Sequence, residues 1–147
     1  MRVEGRWHRF KDGVLRPVID AAVQTPTGTW QSVTLLLDAG ADRTVFDASF
    51  FSLLSPFALP NAQTPELGGV GGKVGAIFVQ TRLAFTRDDG KRVTIQGPFG
   101  VFTDLTSSDV SVLGRDVTNN FDVIYSYPQR YVTLLAPPHN YQIRFSA

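Results

Sequence analysis

The chain has 147 residues, 43% of them apolar, a formal net charge of +1 and no cysteine. This is enough chain to bury one sizeable core and too little for two, so residues 1–147 read as a single domain. Scattered, nearly balanced charges exclude the basic stripe of a nucleic-acid binder, and the lack of cysteine excludes disulfides and thiolate metal sites.

Met1 is followed by charged residues rather than an apolar stretch of signal-peptide length, and no run approaches the ~20 apolar residues of a membrane helix. No membrane partner is therefore expected, and the cytoplasm is the default location. The cluster Arg2, Arg6, His8, Arg9 and Lys11 reads as a solvated N-terminal arm over residues 1–13. Residues 14–23 predict a first strand, Thr25-Pro26-Thr27-Gly28 a turn, and residues 30–37 a second strand. That hairpin delivers Asp38 onto a tight turn, where Gly40 lets the backbone bend sharply. Residues 46–54 suit a short helix capped by Asp47 and stopped before Pro56, followed by a breaker-rich loop over 56–65. A glycine cluster over 67–75 precedes a strand at 76–86, and Asp88-Asp89-Gly90 is a hairpin turn. Strands are expected at 91–96, 100–103 and 110–113, with a polar turn at 106–109 and one or two helical turns within 115–121. Strands at 131–135 and 141–145, separated by Pro137-Pro138, close the chain. Many short strands and little helix predict an all-β, barrel-like fold.

Asp38 ends the apolar run Leu35-Leu36-Leu37, where water is expected to be scarce. A lone carboxylate there would be protonated or would destabilise the fold, whereas two facing carboxylates can share one proton and activate a water. The chain supplies only one. Gly68, Gly69, Gly71 and Gly72 do not form a phosphate loop, because Lys73 is followed by Val74 and a strand; a linker or a mobile flap are the other readings. His8 and His139 lack a cysteine partner, so no metal site is expected, and no Gly-x-Ser-x-Gly is present for a serine hydrolase.

Three stretches in order resemble motifs of the retropepsin-like (retroviral-type) aspartic proteases: Leu36-Leu37-Asp38-Ala39-Gly40-Ala41-Asp42, the glycine-rich residues 67–75, and Val112-Leu113-Gly114-Arg115-Asp116. Arg16-Pro17 in the first strand is a shorter fourth match, so the likeness covers about residues 14–147. One position departs from the family pattern. Ala39 stands where the family has Thr or Ser, whose hydroxyl bonds across the dimer axis.

The resemblance implies a closed barrel of the acid-protease type with one or two short helices. It implies a homodimer that hydrolyses a peptide or protein substrate without a cofactor, Asp38 from each subunit flanking the attacking water. One carboxylate acts as general base while the other, protonated, donates to the scissile carbonyl. It further implies substrate contacts at Gly40, Asp42 and Arg43 and at the flap residues Gly69, Val70 and Gly71. Val110 and Val112 match pocket-lining positions, although as alternating strand residues they read equally as core. Asp42 and Arg115, each a surface charge if taken alone, would form a partly buried ion pair beneath the site, and Arg16 would reach the partner's Asp42. Asp116 would cap or anchor the terminal helix, and Arg43 would favour an acidic substrate side chain. The alternative is a non-catalytic or weakly active peptide-binding or dimerisation module, which Ala39 favours and retention of Asp38 opposes.

Overall fold

The computed structural model describes residues 1–60, 75–104 and 110–144. Its N-terminal segment is not a solvated arm. Strand β1 (Arg2–Glu4) pairs antiparallel with residues 131–135, and β2 (Arg6–Arg9) pairs with the strand that follows it. The charged residues project outward while Val3 is buried in the core, the half-buried alternation that a strand permits. Gly5 makes the passage between these strands possible, because a Cβ there would lie 2.6 Å from both Ile19 Cδ1 and the Val18 carbonyl oxygen.

Strands β3 (Leu15–Gln24) and β4 (Trp30–Leu37) form the expected hairpin, in register from Val18 opposite Leu36 to Gln24 opposite Trp30. After the two-residue strand β5 (Val45–Phe46), Asp47 caps a 3-10 turn by accepting the Ser49 N–H at 2.9 Å, and α1 (Phe51–Leu54) follows. As expected, α1 stops before Pro56. That proline sits in the first turn of a further 3-10 element, Ser55–Phe57, where proline's missing N–H is not needed.

The single strand expected over 76–86 is two strands, β6 (Ala76–Val79) and β7 (Arg82–Thr86). Between them Gln80 N–H donates to the Phe57 carbonyl at 3.1 Å and Thr81 Oγ1 donates to the Gln24 carbonyl at 2.8 Å, which takes the chain off the ladder. Strand β7 then pairs with β8 (Arg92–Gln96) across a turn in which Gly90 adopts φ +81°, a conformation that favours glycine. Strands β9 (Phe99–Phe102) and β10 (Ser111–Leu113), helix α2 (Arg115–Thr118), β11 (Asp122–Ser126) and β12 (Tyr131–Leu135) complete the described elements. Strand β11 has no counterpart among the expected strands. Its adjacent Val123 and Ile124 break the alternation that would announce it, and β12 supplies the partner that makes it a strand. Residues 141–144, expected as strand, make no ladder and are tied by side chains instead. Tyr141 OH donates to Asp88 Oδ2 at 2.9 Å, beneath the Arg2 guanidinium 5.2 Å from the Tyr141 ring, and His139 Nε2 pairs with Asp122 Oδ2 at 2.6 Å.

The larger sheet runs β6-β9-β5-β10-β4-β3-β7-β8, with β2 also on β3, and the smaller runs β1-β12-β11. The fold is mostly β, but the expected closed barrel is not found: among the described residues the larger sheet ends openly at β6 and β8. At Gln80-Thr81 the chain passes from β6, paired with β9 at one end of the sheet, to β7, which lies between β3 and β8 toward the other. Within lie Ile19, Leu35, Phe46, Leu54, Leu83, Phe85, Phe99, Leu113 and Leu134, each at most 1% exposed. Burial of such side chains contributes about 1.5–3 kcal/mol apiece, and it fixes the strand ends on which the candidate site stands. No helix among the described residues is long and apolar enough to cross a membrane.

Candidate active site

Strand β4 lies parallel to β10, with Leu37 beside Leu113, and the next residue, Asp38, continues the ladder by donating its N–H to the Leu113 carbonyl at 3.3 Å. The chain then turns back on itself. Gly40 N–H donates to Asp38 Oδ1 at 2.9 Å and Ala41 N–H to the Asp38 carbonyl at 3.2 Å, a local side-chain-to-backbone turn that fixes the carboxylate. Asp38 is half-buried while Ala39 and Gly40 are exposed, so the single chain leaves the carboxylate partly open to water instead of dry.

The segment before and into α2 holds this turn from the other side. Arg115 N–H donates to the Ala41 carbonyl at 2.8 Å and Asp116 N–H to the Asp42 carbonyl at 3.2 Å. Thr44, fully buried, donates to Asp116 Oδ1 through both its N–H (2.9 Å) and its Oγ1 (2.8 Å), and Oγ1 accepts the Gly114 N–H at 3.0 Å. Sequence reasoning missed Thr44. Its signal was a hydroxyl residue directly before the apolar pair Val45-Phe46. Asp116 therefore anchors the site turn, while the N-cap of α2 is Gly114, without a side-chain capping bond.

Asp42 and Arg115 do meet in an ion pair, but it is an exposed one, their side chains being 69% and 50% accessible. A pair this open contributes little, because water competes with it and salt screens it. Arg115→Ala is expected to lower stability by less than about 1 kcal/mol in thermal or denaturant unfolding, since no buried charge is stranded.

Arg16 is occupied within its own chain. It donates to both oxygens of Asp12, at 3.1 and 2.7 Å, and lies over the Phe10 ring at 5.1 Å. These bonds from Arg16, then the Val14 N–H, hold the Asp12 carboxyl down at about 2. A carboxyl lowered in the folded state stabilises the fold above its unfolded value, near 3.8, and loses that contribution as pH falls through about 2. A carbon-detected titration should accordingly place the Asp12 midpoint near 2, and Arg16→Ala should return it toward 3.8.

The expected substrate residues fall into two groups. A groove of about 780 Å³ is lined by Arg16, Leu36, Phe50, Val110 and Ser111 among others. Leu36 lies two residues before Asp38 along β4, and Asp38 itself does not line the groove. Leu36 was not expected in this role, whereas Val112 does not line the groove and pairs with Val45 and Leu36 in the sheet. Asp42, Arg43, Arg115, Asp116 and Asn119 surround a separate hollow. The flap residues Gly69, Val70 and Gly71 lie outside the described residues. Among the described residues no group of three His, Asp or Glu side chains is arranged to hold a metal.

No protein-family model matches the chain, and no curated protein matches it. Among solved structures, the EIAV protease complexed with the inhibitor HBY-793 is similar over 71% of this chain and 86% of that one, at 25% identity and a TM-score of 0.45. A retropepsin-like aspartic protease from Rickettsia conorii is similar over 91% of each chain, at 18% identity and a TM-score of 0.51. The chain has a retropepsin-like fold. Within that retropepsin-like fold the Asp38 turn, the parallel β4–β10 pair and the α2 segment that buttresses them form one continuous unit.

Proposed function

We propose that this chain is an aspartic endopeptidase of the retropepsin type, active as a homodimer in which Asp38 from each copy flanks a water. The observation that carries the reading is the placement of Asp38. Its carboxylate is held by the Gly40 N–H on a turn at the end of two parallel strands and is half-buried. Two such carboxylates brought together cannot both ionise at close range, so the pair keeps one proton and titrates as a unit. The ionised member accepts a proton from the water as it attacks the peptide carbonyl, and the protonated member donates to the carbonyl oxygen. The residues beside Leu36 and Val110 provide an apolar wall along which an extended peptide lies. No cofactor is needed for this chemistry.

Incubating the protein with a mixed peptide library and identifying the products by mass spectrometry tests the proposal. Cleavage that a peptide isostere bearing a hydroxyl in place of the scissile amide inhibits competitively is the expected result, because that hydroxyl occupies the water position. Binding of library peptides without cleavage would instead identify a binding module.

A further inference from the structure

The groove beside Leu36 is lined in part by residues 8–12, at the tip of the hairpin formed by β2 and β3. These residues precede the stretch that resembles the aspartic proteases, so what they bring to the groove belongs to this chain. Their conformation is set locally. Phe10 N–H donates to the Val14 carbonyl at 3.0 Å and Gly13 N–H to the Phe10 carbonyl at 2.9 Å. Asp12 Oδ1 accepts the Val14 N–H at 3.0 Å, while Arg16 donates to both Asp12 oxygens. The Phe10 ring meets the Arg16 guanidinium at 5.1 Å and the His8 ring, edge-on, also at 5.1 Å.

The charges on this tip do not cancel. Asp12 and Arg16 neutralise each other, and Asp47, the other carboxylate on the groove, accepts from the Ser49 N–H at 2.9 Å and from Ser111 Oγ at 2.8 Å. Arg9 donates to the Gly13 carbonyl at 2.6 Å, a neutral acceptor that leaves its charge uncompensated. Lys11 is exposed, as is Arg9, and among the described residues neither has a carboxylate partner. Beside these two cations lies an apolar floor of Phe10, Leu36, Phe50 and Val110.

We infer that this hairpin tip selects acidic substrates, Lys11 and Arg9 receiving the carboxylate of a glutamate or aspartate in the bound peptide while a neighbouring apolar side chain lies on Leu36, Phe50 and Val110. This rests on the peptide-binding reading of the groove given above and adds the substrate class to it. Charge complementarity decides for an acidic peptide, because the groove's own carboxylates are engaged and its two unpaired cations are not. The tip is already fixed by its hydrogen bonds, so little backbone freedom is lost when a peptide arrives. Arg43 stands on the separate hollow with Asp42 and Arg115, so an acid bound there would be a different residue of the peptide.

The test compares cleavage and binding across a peptide set in which each position in turn is Glu, Gln or Lys. Wild type should favour Glu over Gln at one position by about fivefold in kcat/KM, the upper range for an exposed ion pair, and added salt should shrink the preference. Lys11→Glu should erase that preference, and Lys11→Arg, which keeps the charge, should retain it. Far-UV circular dichroism of each variant establishes that it is folded. Binding of the same peptides to Asp38→Asn, read by fluorescence anisotropy, separates selection from chemistry. The absence of any position favouring Glu, or a preference that Lys11→Glu leaves in place, overturns the inference, even where Asp38-dependent cleavage shows the protease reading to be right. So does a preference that Arg43→Gln removes and Lys11→Glu does not, which would put the acid in the other hollow. Lys11-dependent binding of acidic peptides without any cleavage supports the inference while removing the protease reading. Peptides that neither bind nor are cut overturn both.

Discussion

Asp38→Asn should abolish peptide cleavage, by about a thousandfold or more, and leave the fold intact. The amide oxygen can still accept the Gly40 N–H, which is the hydrogen bond that shapes the turn. What it cannot do is take a proton from water or hand one to the peptide carbonyl, and a positioned carboxyl doing both contributes about 10²–10⁴ in rate per proton transfer. Circular dichroism and the thermal midpoint should match wild type. Glu4→Gln is the control, because Glu4 is an exposed carboxylate on β1, paired with Arg2. Persistent cleavage by Asp38→Asn would remove Asp38 from the chemistry.

Gly114→Ala should be the most destabilising single methyl in the molecule. A Cβ at this position would lie 2.3 Å from the Arg43 carbonyl carbon and 2.5 Å from its oxygen, and backbone atoms cannot step aside as a flexible side chain would. The substitution must part β10 from the turn that leads out of Asp38. That breaks the Gly114 N–H bond to Thr44 Oγ1 and, through Thr44, loosens the anchorage on Asp116. A loss of about 3 kcal/mol or more is expected in denaturant unfolding, at the upper end for overpacking. Activity should fall beyond the loss of folded protein, because the same displacement moves Asp38. Gly28→Ala offers a contrast. It also costs stability, because Gly28 has φ +83°, but its Cβ would meet nothing, so turnover per folded molecule should not change.

The Asp38 turn was legible because its signals are local. An apolar, β-branched run ending in Asp-Ala-Gly requires only near neighbours to become a strand and a turn, and the hairpin of β3 and β4 appears where the alternation places it. Asp47 as a cap and Gly90 as a turn residue were readable for the same reason, each being a preference of one residue for one backbone conformation. The ion pair of Asp42 and Arg115 was readable as a pairing but not in its exposure, since burial depends on what lies above the pair.

The sequence by itself determined the strand that presents Asp38, the turn that carries it and the all-β character, because period-two alternation and turn chemistry act over a few residues, while the segment 112–116 was tied to that turn only by the family resemblance. Tertiary structure alone decided the rest. It recruited the charged N-terminus into strands, because Val3 had a core to enter and Gly5 let the backbones approach. It split residues 76–86 at Gln80-Thr81, because bonds to Phe57 and Gln24, distant in sequence, outweighed a local pattern that favoured one strand. It made Thr44 the buried junction between Asp116 and Gly114. It also created β11, whose irregular alternation becomes a strand only where β12 lies alongside, for a ladder needs two partners and a sequence shows one at a time.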